Sequence, residues 1–177
     1  MIRVGSQLTF CSPEKILRRT AVEFDEQHVI TQLLNLDDGN VEPSQTLFYD
    51  GILSAGIVSV KQHAGTENMS HLLGDYLYVD VSGQIPAAVI KQTGKPLILD
   101  FGAKTLNEIN NLIPTLASAF SGFSIFDILA ACTYYPSLIL GKTAGLSENT
   151  RSQVILWENV DMIEKKLTFN TFIREIN

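Results

Sequence analysis

Apolar and polar residues alternate along several short stretches of the first sixty residues. In residues 20–25, Val22 and Phe24 fall on one side and acidic residues on the other, which is the two-residue period of a strand with one buried face. Residues 29–34 resume an apolar pattern after three residues that can turn, so they are expected to return as a hairpin partner. Residues 3–10 also mix polar and apolar residues in a strand-like way and predict a further strand.

Two Asp-Gly pairs predict turns within this region. Asp38–Gly39 and Asp50–Gly51 have suitable chemistry for a turn, because glycine tolerates positive φ. The second pair separates expected strands over residues 46–49 and 52–60. Residues 1–60 are therefore expected to form an antiparallel β-unit.

The pattern changes after residue 60. Aromatic and β-branched residues favour a strand over residues 76–81, and the apolar run 96–101 is typical of a strand that is covered on both faces. Short helices are expected over residues 66–73 and 87–91, the second beginning after Pro86.

Three helices and two strands are expected in the rest of the chain. Thr105 should begin the first helix, with Glu108 completing a capping box, and this helix carries an apolar stripe at helical spacing. Ser124 should begin the second helix and Pro136 the third, which ends at Gly141. The expected strands that follow are residues 152–158 and 167–173.

Composition and charge exclude some classes of function. The net charge of −6 argues against a nucleic-acid partner, which would call for a basic stripe. No apolar run reaches the ~18 residues of a membrane helix, and the first fifteen residues lack the apolar centre of a signal peptide. We therefore expect a cytoplasmic protein without a membrane partner. Cys11 and Cys132 lie in no metal or redox motif and are expected to be buried thiols.

One stretch carries a family resemblance. Residues 55–63 read Ala-Gly-Ile-Val-Ser-Val-Lys-Gln-His after an apolar run. They resemble the Pro-Gly-Phe-Val-Asp-Ala-His-x-His segment of the metal-dependent amidohydrolase superfamily, in which both histidines bind the catalytic metal. Here Lys61 stands at the first histidine position and His63 at the second.

Three other stretches are similar to the same family in the same order. Residues 19–30 resemble its opening strand, turn and strand, and residues 131–141 resemble its late segment Ala-Thr-x-Asn-Pro-Ala-x-x-Leu-Gly. Residues 145–156 resemble its returning strand Ile-x-x-Gly-x-x-Ala-Asp-Leu-Val-Leu.

The resemblance implies an α+β fold in which both chain ends build one β-domain. Residues 1–60 and 145–177 would form a composite antiparallel β-sandwich, and residues 61–144 a truncated α/β segment, the two parts making a single compact unit. A (β/α)₈ barrel takes about 250 residues, so the middle has room only for a short remnant of a TIM barrel.

The candidate metal ligands are few. A catalytic zinc site needs about three protein ligands and an open position. His28 falls in an expected surface turn, which leaves His63, His71, Asp75 and Asp100 as the weak candidates. Asp100 would occupy the place of the family's last-strand aspartate, although the flanking residues of that motif are missing. A protonated Lys61 cannot ligate a metal and would repel one.

These observations leave three hypotheses for function. The first is an amidohydrolase-like protein that lacks the metal site and catalytic residues, binds no cofactor, and acts as a binding or assembly module. Loss of most of a barrel should expose apolar surface, and self-association would cover it. The second is a residual hydrolase of cyclic amides or aminated heterocycles that uses zinc or iron. The third is a small-molecule pocket between the β-domain and the helices.

Overall fold

A computed structural model describes residues 2–38, 46–63, 73–92 and 94–176. The described strands are β1 Ile2–Ser12, β2 Lys15–Phe24, β3 Val29–Asn35, β4 Thr46–Ala55, β5 Leu77–Asp80, β6 Leu97–Asp100, β7 Thr150–Arg151, β8 Val154–Glu158 and β9 Phe172–Ile176. The described helices are α1 Val60–His63, α2 Leu106–Ala119, α3 Ile125–Leu129, a π-helix Ala130–Tyr134 and α4 Tyr135–Ile139.

Both chain ends build one seven-stranded sheet, in the order β7-β3-β2-β1-β4-β8-β9. The four amino-terminal strands and three carboxyl-terminal strands thus share a sheet, and the α+β class is confirmed. The sheet is mixed, since β4 runs parallel to β1 while the other pairs are antiparallel. The expectation of a purely antiparallel unit was wrong, because β4 does not continue the hairpin meander but joins the far side of β1.

The chain path makes the sheet curl. Arg151 ends β7, which pairs with β3 at one edge, and Val154 begins β8 near the other edge only three residues later. The two sides of the sheet are therefore held close together. One apolar cluster fills this curled side: Val4, Cys11, Val22, Phe24, Ile30, Leu53, Ala55, Leu146, Val154 and Leu156.

The helices and a two-stranded parallel sheet, β5-β6, pack on the opposite face. All four residues of β6 are buried, which confirms the expectation for this strand. A second apolar cluster joins these elements to the large sheet through Phe10, Ile52, Ile155, Trp157 and Ile173. In the described part of the chain, the structure has two parallel strands in this region and no barrel.

Local helix signals are confirmed. Thr105 and Ser124 both cap their helices through complete capping boxes, with Glu108 and Asp127 as the reciprocal partners. The second and third expected helices are joined by the π-helix into one run. Its extra residue per turn leaves the Cys132 carbonyl to accept a 2.8 Å hydrogen bond from the Val58 amide. Both cysteines are free and buried, as predicted.

Four local expectations were wrong. Asp50–Gly51 is not a turn but a bulge inside continuous β4, where two residues lie opposite Gln7 of β1. The strand expected over residues 52–60 ends at Ala55, and Val60 already belongs to α1.

The other two errors concern residues 87–91 and 167–173. Residues 87–91 are irregular, and their backbone is held by a bond from the Val89 amide to the Ala119 carbonyl instead of a helical turn. So short an apolar stretch cannot nucleate a helix unaided. The last strand begins only at Phe172, because side-chain bonds of Thr168 and Thr171 to nearby amides turn the chain before it.

Two expectations fall partly outside the described residues. The turn at Asp38–Gly39 includes Gly39, and the short helix expected over residues 66–73 includes residues 66–72, none of which the structure describes. Within the described residues, no helix combines the length and apolarity that crossing a membrane requires.

Candidate functional site

A polar cluster lies where the two parallel strands end. Asp80 closes β5 and Asp100 closes β6, and the two are register partners. Parallel strands bring their carboxyl ends to the same edge of a sheet. The loop that leaves β4, followed by α1, packs against this edge and brings Ser59 and Lys61 to it.

Asp100 is the centre of this cluster and is fully buried. Its Oδ1 accepts bonds from Ser59 Oγ at 2.6 Å and from the Gly102 amide at 2.9 Å. Its Oδ2 accepts bonds from the Lys61 amide at 2.8 Å and from the Tyr78 hydroxyl at 3.1 Å. A carboxylate offers about four lone-pair positions, so this side chain is saturated.

The saturated carboxylate acts as a structural tie. It joins the end of β6, the side chain of β5 residue Tyr78 and the first turn of α1 through one group. Because all of its lone-pair positions are used, the Asp100 carboxylate has none left for a metal ion or for a substrate proton. Charge-assisted hydrogen bonds are stronger than neutral ones, so the arrangement also fixes the position of α1.

Lys61 occupies the outer side of the cluster. Its ammonium lies 2.9 Å from Asp80 Oδ2, and the other oxygen of Asp80 accepts bonds from the amide and hydroxyl of Ser82. The hydrogen bond to Asp80 raises the pKa of Lys61. Partial burial works against ionisation of Asp80, but the bonds from Ser82 and Lys61 outweigh it and lower the pKa of Asp80. Both groups are therefore charged at neutral pH.

Tyr78 lies inside the cluster and keeps its proton. Burial, followed by the negative charge of Asp100, raises the pKa of Tyr78 well above its ordinary range. The phenol is therefore a hydrogen-bond donor at neutral pH and no base.

His63 lies close by but points to the backbone. Its Nδ1 lies 2.8 Å from the Ser59 carbonyl, which makes that nitrogen the protonated one. The motif-equivalent positions Lys61 and His63 thus lie on α1 beside Asp100. The metal candidate His71 lies outside the described residues.

Asp75 is not brought to this edge. It is exposed in the turn before β5, five residues ahead of Asp80. The strand between them spans roughly 10 Å, so Asp75 lies at the opposite end of β5 from Asp80. His28 is exposed in the β2–β3 turn with φ 59°. Among the residues that the structure describes, no three His, Cys, Asp or Glu side chains are grouped as a metal site would require.

Sequence reasoning missed four members of the cluster: Ser59, Tyr78, Asp80 and Ser82. A signal for one of them was available. The two predicted strands, 76–81 and 96–101, each have an aspartate as the next-to-last residue, and adjacent parallel strands would bring those aspartates together. The pairing of Lys61 with Asp80 had no local signal, because 19 residues separate them.

An open cleft of about 460 Å³ adjoins the cluster. It lies between the loop after β4, the start of α2 and the adjacent edge of the large sheet, and its lining includes Ser59, Gly102, Thr105, Gln153 and Glu175. Polar groups make up the larger part of the lining, beside apolar residues such as Ile57, Leu106 and Ile155, which suits a hydrophilic molecule better than an apolar one. This is the place that corresponds to the third hypothesis, a pocket between sheet and helices.

Comparisons with known proteins identify no family for this chain. No protein-family model matches the chain, and no curated protein matches it. The structure is similar to that of N-acetyl-D-glucosamine-6-phosphate deacetylase from Mycobacterium smegmatis, with a TM-score of 0.27 and 8% identity. The match covers 81% of this chain and 42% of the deacetylase chain, so the chain spans less than half of that protein's length. A TM-score of this size establishes neither a shared fold nor a shared function.

Proposed function

We propose that this chain is an amidohydrolase-like protein without a metal site, which acts as a binding or assembly module and not as a hydrolase. The observation that carries the proposal is the saturated carboxylate of Asp100. It accepts four hydrogen bonds while buried, at the position that the sequence resemblance gives to the family's last-strand aspartate.

The electrostatics at Lys61 support the same conclusion. The resemblance assigns this position to a metal-binding histidine, and here an ammonium occupies it in an ion pair with Asp80. A fixed positive charge repels a metal cation, and a protonated amine has no lone pair with which to ligate it. The ion pair neutralises one of the two carboxylates at the strand ends, that of Asp80, and four hydrogen bonds stabilise the other, that of Asp100.

The proposal includes the domain organisation. Residues 1–60 and 145–177 would be the composite β-domain, and residues 61–144 the shortened remnant of a barrel. On this view the loop after β4 once connected the β-domain to a catalytic barrel. It now connects to α1, where Ser59 and the Lys61 amide donate hydrogen bonds to Asp100. Large apolar side chains remain at the surface, as such a shortening would leave them: Ile2, Leu47, Phe48, Ile90, Leu138, Ile163, Phe169 and Phe172.

Metal analysis tests the proposal. The protein is purified without chelators from medium supplemented with zinc and iron, and its metal content is measured by mass spectrometry. We expect far less than one metal ion per chain, with the same content and the same melting temperature in His63→Ala. Exposed His28→Ala serves as the matched histidine control.

A hydrolase would give a different result. Stoichiometric zinc or iron in the wild type, lost in His63→Ala but not in His28→Ala, would refute the proposal. So would metal-dependent hydrolysis of a panel of cyclic amides and aminated heterocycles that disappears with the same substitution.

A further inference from the structure

The last strand of the large sheet, β9, turns its outer edge toward α2. β9 pairs with β8 in antiparallel register, so alternate residues direct both backbone polar groups toward β8 and the residues between direct both away from it. Ile173 is an outward-facing residue, because its amide donates to Asn110 Oδ1 and its carbonyl accepts from Asn110 Nδ2, each at 2.7 Å. Glu175, two residues further on, therefore also faces outward.

The outward pair of Glu175 differs from that of Ile173 in being open. In the described part of the chain, no group bonds to the Glu175 amide or to its carbonyl. Glu175 is exposed, and it lines the cleft of about 460 Å³ that lies between this edge and the start of α2. A backbone donor and a backbone acceptor thus stand side by side at the wall of the cleft.

Asn110 shows which chemical group completes such a pair. In its primary carboxamide, one N–H and the carbonyl oxygen lie on the same edge of a planar group, so the group can donate and accept at once. The secondary amide of a trans peptide bond cannot do this alone, since its N–H and C=O point in opposite directions. The protein itself therefore supplies the template for a ligand at Glu175.

The geometry favours a small molecule over an added strand. Of the two outward-facing residues of β9, Ile173 is already bonded to α2, which leaves Glu175 alone. A strand partner needs a longer run of free edge. The cleft volume falls in the range of about 300–1,000 Å³ that is usual for small-molecule sites.

We infer that this cleft binds a small molecule through a primary carboxamide, which donates an N–H to the Glu175 carbonyl and accepts a bond from the Glu175 amide. The inference rests on the proposed binding role and names a chemical class of ligand for it. Ile57, Leu106 and Ile155 belong to the same lining and can contact the carbon skeleton that carries the carboxamide.

Titration of the ¹⁵N-labelled protein with propionamide, followed by NMR, tests the site. We expect the Glu175 amide to exchange rapidly with solvent in the free protein. Propionamide should shift its signal saturably and slow its exchange. N-methylpropionamide cannot make both bonds, and propionate lacks the donor, so neither should reproduce these effects.

A pair of variants at one position separates the backbone from the side chain. Glu175→Pro removes the outward amide, and because this amide does not bond to β8, the ladder stays intact and proline suits the edge strand. We expect propionamide to bind about tenfold more weakly, as read from the amide signals of Ile57 and Leu106. Glu175→Ala is the matched control, since it removes the same side chain, keeps the amide and should bind as the wild type does.

The outcomes separate this inference from the proposed function. A Glu175 amide protected from exchange in the free protein, no saturation up to the solubility limit of propionamide, or equal binding of N-methylpropionamide refutes the site and leaves the metal-free proposal intact. These measurements use the wild type and decide the question even if Glu175→Pro does not fold. Equal affinities of folded Glu175→Pro and Glu175→Ala also refute it. Stoichiometric metal together with carboxamide binding that Glu175→Pro weakens refutes the proposed function and leaves the site standing.

Discussion

A single buried carboxylate organises the polar cluster. Asp100 accepts bonds from two side chains and two amides that belong to three different segments of the chain. A buried charge is stable only when such bonds replace its hydration. The aspartate therefore specifies how the loop after β4, α1 and the end of β5 meet. The same saturation leaves its carboxylate no lone pair for a metal ion or a substrate proton.

Tyr78 allows this tie to be tested through pH. Its folded-state pKa lies above its ordinary value of about 10, first because of burial and then because of Asp100. The unfolded chain therefore loses this proton more readily than the folded chain. The stability that Tyr78 contributes is fully present below about pH 10 and is lost as the pH rises further.

We expect Tyr78→Phe to lower the free energy of unfolding by roughly 1.5 kcal/mol at neutral pH, the worth of a hydrogen bond to a charged group. The difference from wild type should shrink above about pH 10. Urea denaturation of both proteins at neutral and alkaline pH measures it. Burial also raises the pKa of Tyr135 and of Cys132, but these groups are present in both proteins and cancel. A difference that stays constant with pH would contradict this account.

At the scale of elements, the large sheet depends on one helix to protect its edge. α2 is anchored by its buried residues Ile109, Ile113 and Leu116, and this places Asn110 beside β9. The amide side chain then supplies one acceptor and one donor to Ile173, as a neighbouring strand would. The helix thereby ends the sheet at β9.

We expect Asn110→Ala to lower the free energy of unfolding by about 1–3 kcal/mol, since it leaves two backbone groups without partners. The opened edge should also increase aggregation on mild heating. Asn111→Ala is the control, because Asn111 is exposed on the same helix. Chemical denaturation and light scattering measure the two effects. Equal stabilities of the two variants would show that Asn110 does not protect this edge.

Elements that depend on neighbouring residues could be predicted from the sequence, and elements that depend on distant contacts could not. Thr105 was identified as a cap from its capping box with Glu108, three residues on, and Ser124 from its place directly before a helical run, and both signals are local. The β-strand pattern identified β1, β2 and β3 for the same local reason. The bulge at Gly51 was not predictable, since its form depends on close approach to the Trp157 carbonyl, 2.4 Å from where a Cβ would lie.

The candidate site was predicted in part. Lys61, His63 and Asp100 were selected from a motif, and the structure places them around α1. Their interpretation as remnants of a metal site was a hypothesis about ancestry. The roles that they have here depend on partners that lie 19 to 41 residues away, such as Asp80 for Lys61 and Ser59 for Asp100. Local pattern carries no information about such pairs.

At the scale of the whole molecule, one apolar cluster joins the β-domain to the middle of the chain. Trp157 and Ile52 of the large sheet belong to the same cluster as Leu99 of β6 and Leu129 of α3. Neither part could keep this surface covered if the other unfolded. Burial of apolar surface contributes roughly 25 cal/mol per Å², so the separated parts would lose much of their stability.

The sheet and the middle segment should therefore unfold together. Trp157, the single tryptophan, reports the sheet by fluorescence, while the described helices all lie between residues 60 and 139 and dominate circular dichroism at helical wavelengths. We expect the two signals to show one coincident urea transition, as in two-state unfolding. Leu129→Ala, a fully buried truncation in the middle segment, should cost about 2–5 kcal/mol. It should move both transitions by the same amount. If only the helical signal shifted, residues 61–144 would be an independent domain, and the single compact unit would be refuted.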